Sequence, residues 1–143
     1  MLNDVIADPL TVANELRPVL LRLSRELRKE TEQMGVTSRQ VTLLWLVREH
    51  PGLSLRELAA EERISAPALS GHVDRLEKAG LLERSRDESD RRRMGLSLTA
   101  EGDRLLKRVR ARRTTWLAER LRGLDDDELA ALEHAIEPLR KLL

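Results

Sequence analysis

The sequence predicts a mainly helical domain that carries a single β-hairpin, and three observations lead there. First, 36% of the 143 residues are charged and 41% hydrophobic, with Leu, Arg, Glu and Ala prominent, a composition that folds and favours helices. Second, apolar residues recur at helical spacing in long stretches at both ends of the chain. Third, the period drops to two in one place only, between Gly80 and Thr99. Trp45 and Trp116 are the only aromatics, so the core must be aliphatic.

The first long helix spans about Leu10 to Thr31, where Leu16, Leu20, Leu23 and Leu27 form one stripe; Pro18 falls inside it as a candidate kink. "TSRQVTLLWLVREHPG" begins a second helix with Thr37 and Gln40 as a capping box, and Pro51 and Gly52 stop it. Ser54 and Glu57 repeat the capping-box spacing and open a helix of about two turns. A turn near Glu62–Ser65 leads into "SAPALSGHVDRLEKAG", with Ser65 as N-cap, Pro67 in the first turn and Gly80 beyond the end. In that helix Leu69, Val73 and Leu76 share one side, and Pro67, Ser70, Gly71, Asp74, Arg75 and Lys78 lie on or near the other.

"LLERSR" and "RMGLSL" read as two strands, the second alternating Met94, Leu96 and Leu98 with Gly95 and Ser97. The loop between them, "DESDRRR", joins them as a hairpin. Thr99 then caps a helix to about Leu121, and Asp125 caps a last one whose acidic first turn suits the positive end of its dipole. Short helix, tight turn, second helix and hairpin together make a winged helix-turn-helix, flanked by long N- and C-terminal helices. The segments divide as residues 1–36 (N-terminal helix region), 37–100 (winged lobe) and 101–143 (C-terminal helices), within one compact chain.

The exposed face of the second helix of the pair suits the major groove, and the hairpin tip the neighbouring minor groove. Asp90 and Arg92 are two apart, so on a strand they point to the same side, and the carboxylate can aim the arginine. A pre-oriented arginine loses less entropy on entering a narrow, electronegative groove. Arg91 and Arg93 point the other way, towards phosphates; Asp87 and Glu88 have no such role beyond shaping the turn.

The stretch "LSLRELAAEERISAPALSGHVDRLEKAGLLERSRDESDRRRMGLSLTAEG" resembles the multiple-antibiotic-resistance regulator (MarR) family of bacterial transcription factors, and the likeness extends over nearly the whole chain. What the resemblance implies is a sequence-specific regulator, a repressor that binds a pseudo-palindromic operator as a homodimer and is released by a small molecule. The dimerisation segments fall on Val5–Leu27 and Trp116–Leu143. DNA-facing positions fall on Ala66, Pro67, Ser70, Gly71 and Arg75, with Ser65 and His72 beside them, and on the wing at Asp90, Arg91, Arg92 and Arg93. Some members carry an arginine at the place of Gly71, so here Arg75 and the wing take more of the work. A small aromatic or lipophilic effector is implied, with Leu20, Leu23, Leu44 and Trp45 as its candidate wall.

Other classes find little support. There is no nucleophile motif, no Gly-rich phosphate loop and no Cys, and His50, His72 and His134 form no ligand cluster in sequence, so neither an enzyme nor a metal or cofactor site is expected. No apolar run reaches the roughly 18 residues of a membrane span, and no signal peptide opens the chain, so a cytoplasmic location is expected. The net charge of +1 hides segregation: residues 99–122 hold eight Lys or Arg against three acids, while residues 124–137 hold six acids and no Lys or Arg. The run "KRVRARR" (107–113) reads as a solvated helix face, or alternatively as a phosphate or anion contact. Two functional alternatives stay open: a DNA binder that answers to no ligand, and a winged helix that serves a protein partner.

Overall fold

The structure, a computed structural model, describes residues 6–86 and 94–143. In order, the elements are α1 (Pro9–Thr31), a 3-10 turn (Glu32–Met34), α2 (Ser38–Glu49), α3 (Leu55–Glu62), α4 (Ala66–Lys78), β1 (Leu82–Arg86), β2 (Met94–Leu98), α5 (Ala100–Leu121) and α6 (Asp126–Arg140). They form two compact units, one of Thr31–Ala111 and one of Met1–Glu30 with Arg112–Leu143.

The first unit is the winged lobe, and cap chemistry explains where its helices begin. Thr37 Oγ1 accepts from Gln40 N at 3.1 Å, while Gln40 Oε1 accepts from Thr37 N at 3.0 Å. This reciprocal cap on α2 is worth about 1 kcal/mol. The Ser54 hydroxyl accepts from Glu57 N and donates to the Glu57 carboxylate at the start of α3. Ser65 Oγ accepts from Ala68 N at 3.3 Å, with Pro67 in the first turn of α4. Between α3 and α4 the chain turns through Arg63, a non-glycine residue at φ 53°. Ile64 N and Arg63 N close that turn onto the Ala59 and Ala60 carbonyls.

The lobe's core is aliphatic throughout. Leu43 and Leu44 of α2, Leu58 of α3, Leu69 and Leu76 of α4, Leu82 of β1, Leu96 of β2 and Leu106 of α5 are all fully buried. Burying each such side chain contributes on the order of 1.5–3 kcal/mol. Because Leu105, Leu106 and Val109 belong to this core, the lobe takes in the first half of α5, past the boundary at residue 100 drawn from sequence.

β1 and β2 pair antiparallel in the register Leu82↔Leu98, Arg84↔Leu96 and Arg86↔Met94. The period-two expectation needs one correction: Gly95 is buried along with Leu96, and Met94 is exposed. The cause is the segment before α3. Leu96 N donates to the Leu53 carbonyl, Gly52 N donates to the Leu96 carbonyl, and Ser54 bridges Gly95, so the backbone of residues 52–54 covers β2. A Cβ at Gly95 would stand 3.2 Å from Gly52 Cα and O.

The second unit contains the described part of α1 up to Glu30, the C-terminal half of α5, and α6. Pro18 sits inside α1, which continues through it as one helix. Asp125 and Glu128 make a full capping box on α6. Among the described residues of this unit, none is buried. The predicted leucine stripe shows why: Leu16 and Leu27 are half-buried and Leu20 and Leu23 exposed, and Leu129, Leu132 and Ile136 of α6 are exposed as well.

Candidate nucleic-acid interface

The two faces of α4 are sharply different. Leu69, Val73 and Leu76 are fixed in the core at spacings of four and three, and this orients the helix about its axis. The remaining arc carries Ser65, Ala66, Pro67 and Arg75 in the open and Ser70, Gly71 and His72 part-exposed. Every helix position that the sequence singles out is therefore accessible.

Within that arc two side chains are joined. Arg75 Nη2 lies 3.2 Å from His72 Nδ1, one helical turn away. A Cβ on Gly71 would meet nothing nearer than Arg75 Nη2, at 4.0 Å, so the guanidinium folds back beside the glycine. His72 is held below the usual histidine pKa, first by burial and then by the charges of Arg75 and of Arg39 on α2. Arg39 in turn pairs with Glu62 of α3 at 3.3 Å.

Asp74, also predicted to face outward, is engaged elsewhere. Arg84 of β1 reaches back to α4, donating to Asp74 and placing Nε 3.4 Å from Glu77 Oε2. The base of the wing is thereby tied to the helix by one cation between two carboxylates. Sequence reasoning missed both Arg39–Glu62 and this bridge. The wing positions Asp87, Glu88, Asp90, Arg91, Arg92 and Arg93 lie outside the described residues; the strands that lead to and from them are those described above.

Of the candidate effector wall, Leu44 needs correcting, because at 0% exposure it belongs to the core and no ligand can touch it without opening the lobe. Trp45 is half-buried, with Arg48 above its ring at 5.4 Å. Leu20 and Leu23 are exposed on α1, in the other unit. Leu23 lines a groove of about 560 Å³ there, with Val19, Arg22, Glu26, Trp116 and Arg120. Arg120 stacks on Trp116 at 4.4 Å.

The basic run of α5 is partly used up inside the chain. Lys107 bonds Asp103 at 3.0 Å and Arg112 reaches Glu30 at 3.5 Å, while Arg108 and Arg110 are exposed. The Lys107 hydrogen bond, with Arg48 and Arg104 nearby, holds Asp103 below the usual carboxylate range. Among the described residues no group of His, Cys, Asp or Glu could hold a metal, and no helix is long and apolar enough to cross a membrane.

The MarR family model matches residues 36–94, from just before α2 to the first residue of β2. The HTH-type transcriptional repressor MdtR of Bacillus subtilis is 31% identical over 119 residues, covering 83% of this chain and 77% of that protein. The chain belongs to the MarR family. YusO of Bacillus subtilis, a solved structure, superposes with a TM-score of 0.76 at 29% identity, over 96% of this chain and 99% of its own. A mutant of S. aureus MepR, solved bound to an oligodeoxyribonucleotide, shares the fold with a TM-score of 0.72 at 21% identity, over 92% and 97% of the two chains. The winged helix-turn-helix read from the sequence is thus the fold of this MarR-family chain.

Proposed function

We propose that this winged-helix DNA-binding regulator acts in the cytoplasm as a homodimeric repressor on a pseudo-palindromic operator and is released by a small aromatic or lipophilic effector. The observation that carries the DNA reading is the division of α4. One face is locked into the core, and the other offers small residues at Ala66, Pro67, Ser70 and Gly71 followed by Arg75. Small residues let the helix approach base edges closely, and an arginine reads guanine bidentately. Arg92, aimed by Asp90, enters the adjacent minor groove, and Arg91 and Arg93 meet phosphates. MdtR is named a repressor, and the MepR mutant was captured on DNA; both support the same reading.

Dimerisation is supported by the exposed apolar side chains. Apart from Met94, the large ones that stand exposed among the described residues (Leu20, Leu132 and Ile136 included) all lie in the unit of which no described residue is buried. Effector release rests on the exposed Leu20 and Leu23 of α1. Release by salicylate-like compounds would show as a shift of the DNA-binding midpoint; no shift across a broad panel favours the ligand-insensitive reading.

The deciding experiment is a salt titration of fluorescence anisotropy, with DNA from upstream of the gene against an unrelated duplex of equal length. The expected result is binding that survives physiological salt on the upstream DNA alone. Equal and steeply salt-dependent binding to both would mean phosphate attraction only. Arg92→Ala is expected to weaken specific binding by about 1–3 kcal/mol with the fold unchanged. Unaltered affinity in that variant would remove the wing from the interface.

A further inference from the structure

Arginine has five donors and no acceptor. The 3.2 Å contact between Arg75 Nη2 and His72 Nδ1 therefore dictates the state of the histidine: Nδ1 must offer its lone pair. That requires a neutral ring with its proton on Nε2. The groups around the ring favour the same state. On its own helix it faces Arg75; from α2 it faces Arg39, whose charge is shared with Glu62 of α3. Partial burial opposes an imidazolium most, and the two cations beside the ring oppose it further.

We infer that His72 is a positioning residue: as a neutral acceptor it holds the Arg75 guanidinium in the orientation that reads the operator, and protonation of His72 releases that arginine. This rests on the reading of α4 as the helix that enters DNA. Arg75 stands exposed on α4, and a free arginine must give up side-chain rotamer entropy to adopt one geometry. The bond to His72 removes part of that loss before DNA arrives. When pH falls through the histidine's lowered pKa, the acceptor disappears and the imidazolium is repelled by both Arg75 and Arg39. Total charge on the helix rises at the same moment, so attraction to any phosphate backbone persists or grows. What falls in acid is discrimination between sequences, and not DNA binding as such.

The test uses the full-length protein and a duplex that it enriches from a random pool at about pH 7.5, where the ring is neutral. Dissociation constants for that duplex and for a scrambled one are measured at fixed salt between about pH 7.5 and about pH 5.5. For the wild type the ratio of the two is expected to fall roughly two- to tenfold on acidification, the share of one net hydrogen bond. His72→Asn places an amide oxygen where Nδ1 stands and does not titrate. It is expected to keep the ratio at the upper pH and to flatten its pH dependence. His72→Leu, with no acceptor, is expected to lower the ratio by a similar factor at every pH.

His50 and His134 are present in every variant, so they cannot distinguish one variant from another. A wild-type ratio that does not move, or an Asn variant that keeps the wild-type profile, overturns the role of His72. Should the Leu variant fail to fold, the wild type and the Asn variant still decide. Failure of the wild type to enrich any sequence would overturn the DNA reading itself. That outcome is distinct from enrichment followed by a flat pH profile, which removes His72 alone.

Discussion

At Gly102 a hydrogen stands where any other residue would place a carbon 2.2 Å from the carbonyl oxygen of Leu81. The closeness has a cause in the neighbouring residues. Thr99 N donates to that same carbonyl at 3.2 Å, and Thr99 Oγ1 accepts from Gly102 N at 3.0 Å while donating to the Gly80 carbonyl. One threonine thus starts α5 and pins it to the entry of β1. Gly102→Ala must push backbone against backbone, which no rotamer change relieves. We expect it to lower unfolding free energy by about 1–3 kcal/mol, the usual range for overpacking, in urea denaturation followed by circular dichroism. Wild-type stability in that variant would mean the junction has slack that the geometry denies. Thr99 was legible in the sequence as a cap because capping is a contact over three residues. Gly102 was legible only as part of a family-like motif, since its constraint comes from Leu81, on the far side of the wing. The same distinction separates the caps at Thr37 and Asp125 from Arg39–Glu62, whose partners are 23 residues apart.

Between elements, the wing and α4 are joined by Arg84, and this contact decides how rigidly the two reading surfaces move together. Asp74 and Glu77 lie three apart on α4, so both carboxylates face one side, and β1 presents the guanidinium to them. The Arg84 side chain is only 24% exposed, so solvent screens the pair less than an open surface contact. Even so, Asp74 is half in water, and the coupling belongs at the upper end of surface pairs. A double-mutant cycle of Arg84→Ala and Asp74→Ala is expected to give a coupling of about 0.5–1 kcal/mol in unfolding free energy. Additive effects within error would mean that the wing is held by its strand pairing and by residues 52–54 alone. Helices and hairpin were readable from period and punctuation, because those signals are local. The pairing of β2 with residues 52–54 was not, because "PGLS" carries turn chemistry and no strand pattern. Its trace in the sequence is Gly95, a residue with no side chain where another backbone comes close.

For the molecule as a whole, the distribution of burial is the physical fact that function has to answer. The lobe of residues 31–111 closes a core of its own, whereas among the described residues of the other unit no apolar side chain is buried and many are exposed. On α6, Leu129, Leu132 and Ile136 recur at spacings of three and four and form one exposed stripe. A stable dimer needs about 1,200–2,000 Å² of buried surface, and long helices with such stripes can supply it. In the dimer proposed above, binding gains through geometry: two linked lobes would convert the second half-site contact into an intramolecular event. Such linkage raises affinity by about 10²–10⁴-fold without any new contact. Leu132→Asp combined with Ile136→Asp puts two carboxylates into the stripe and leaves every lobe residue untouched. We expect this variant to sediment as a monomer at concentrations where the wild type sediments as a dimer. Its affinity for a full operator, whose half-sites are centred about 10 base pairs apart, should drop by a factor in that range, while its affinity for an isolated half-site stays as in the wild type. A double variant that still dimerises would move the interface off α6. A monomeric one that binds the full operator as tightly as before would show that a single lobe suffices, and with that the case for a pseudo-palindromic site would fall.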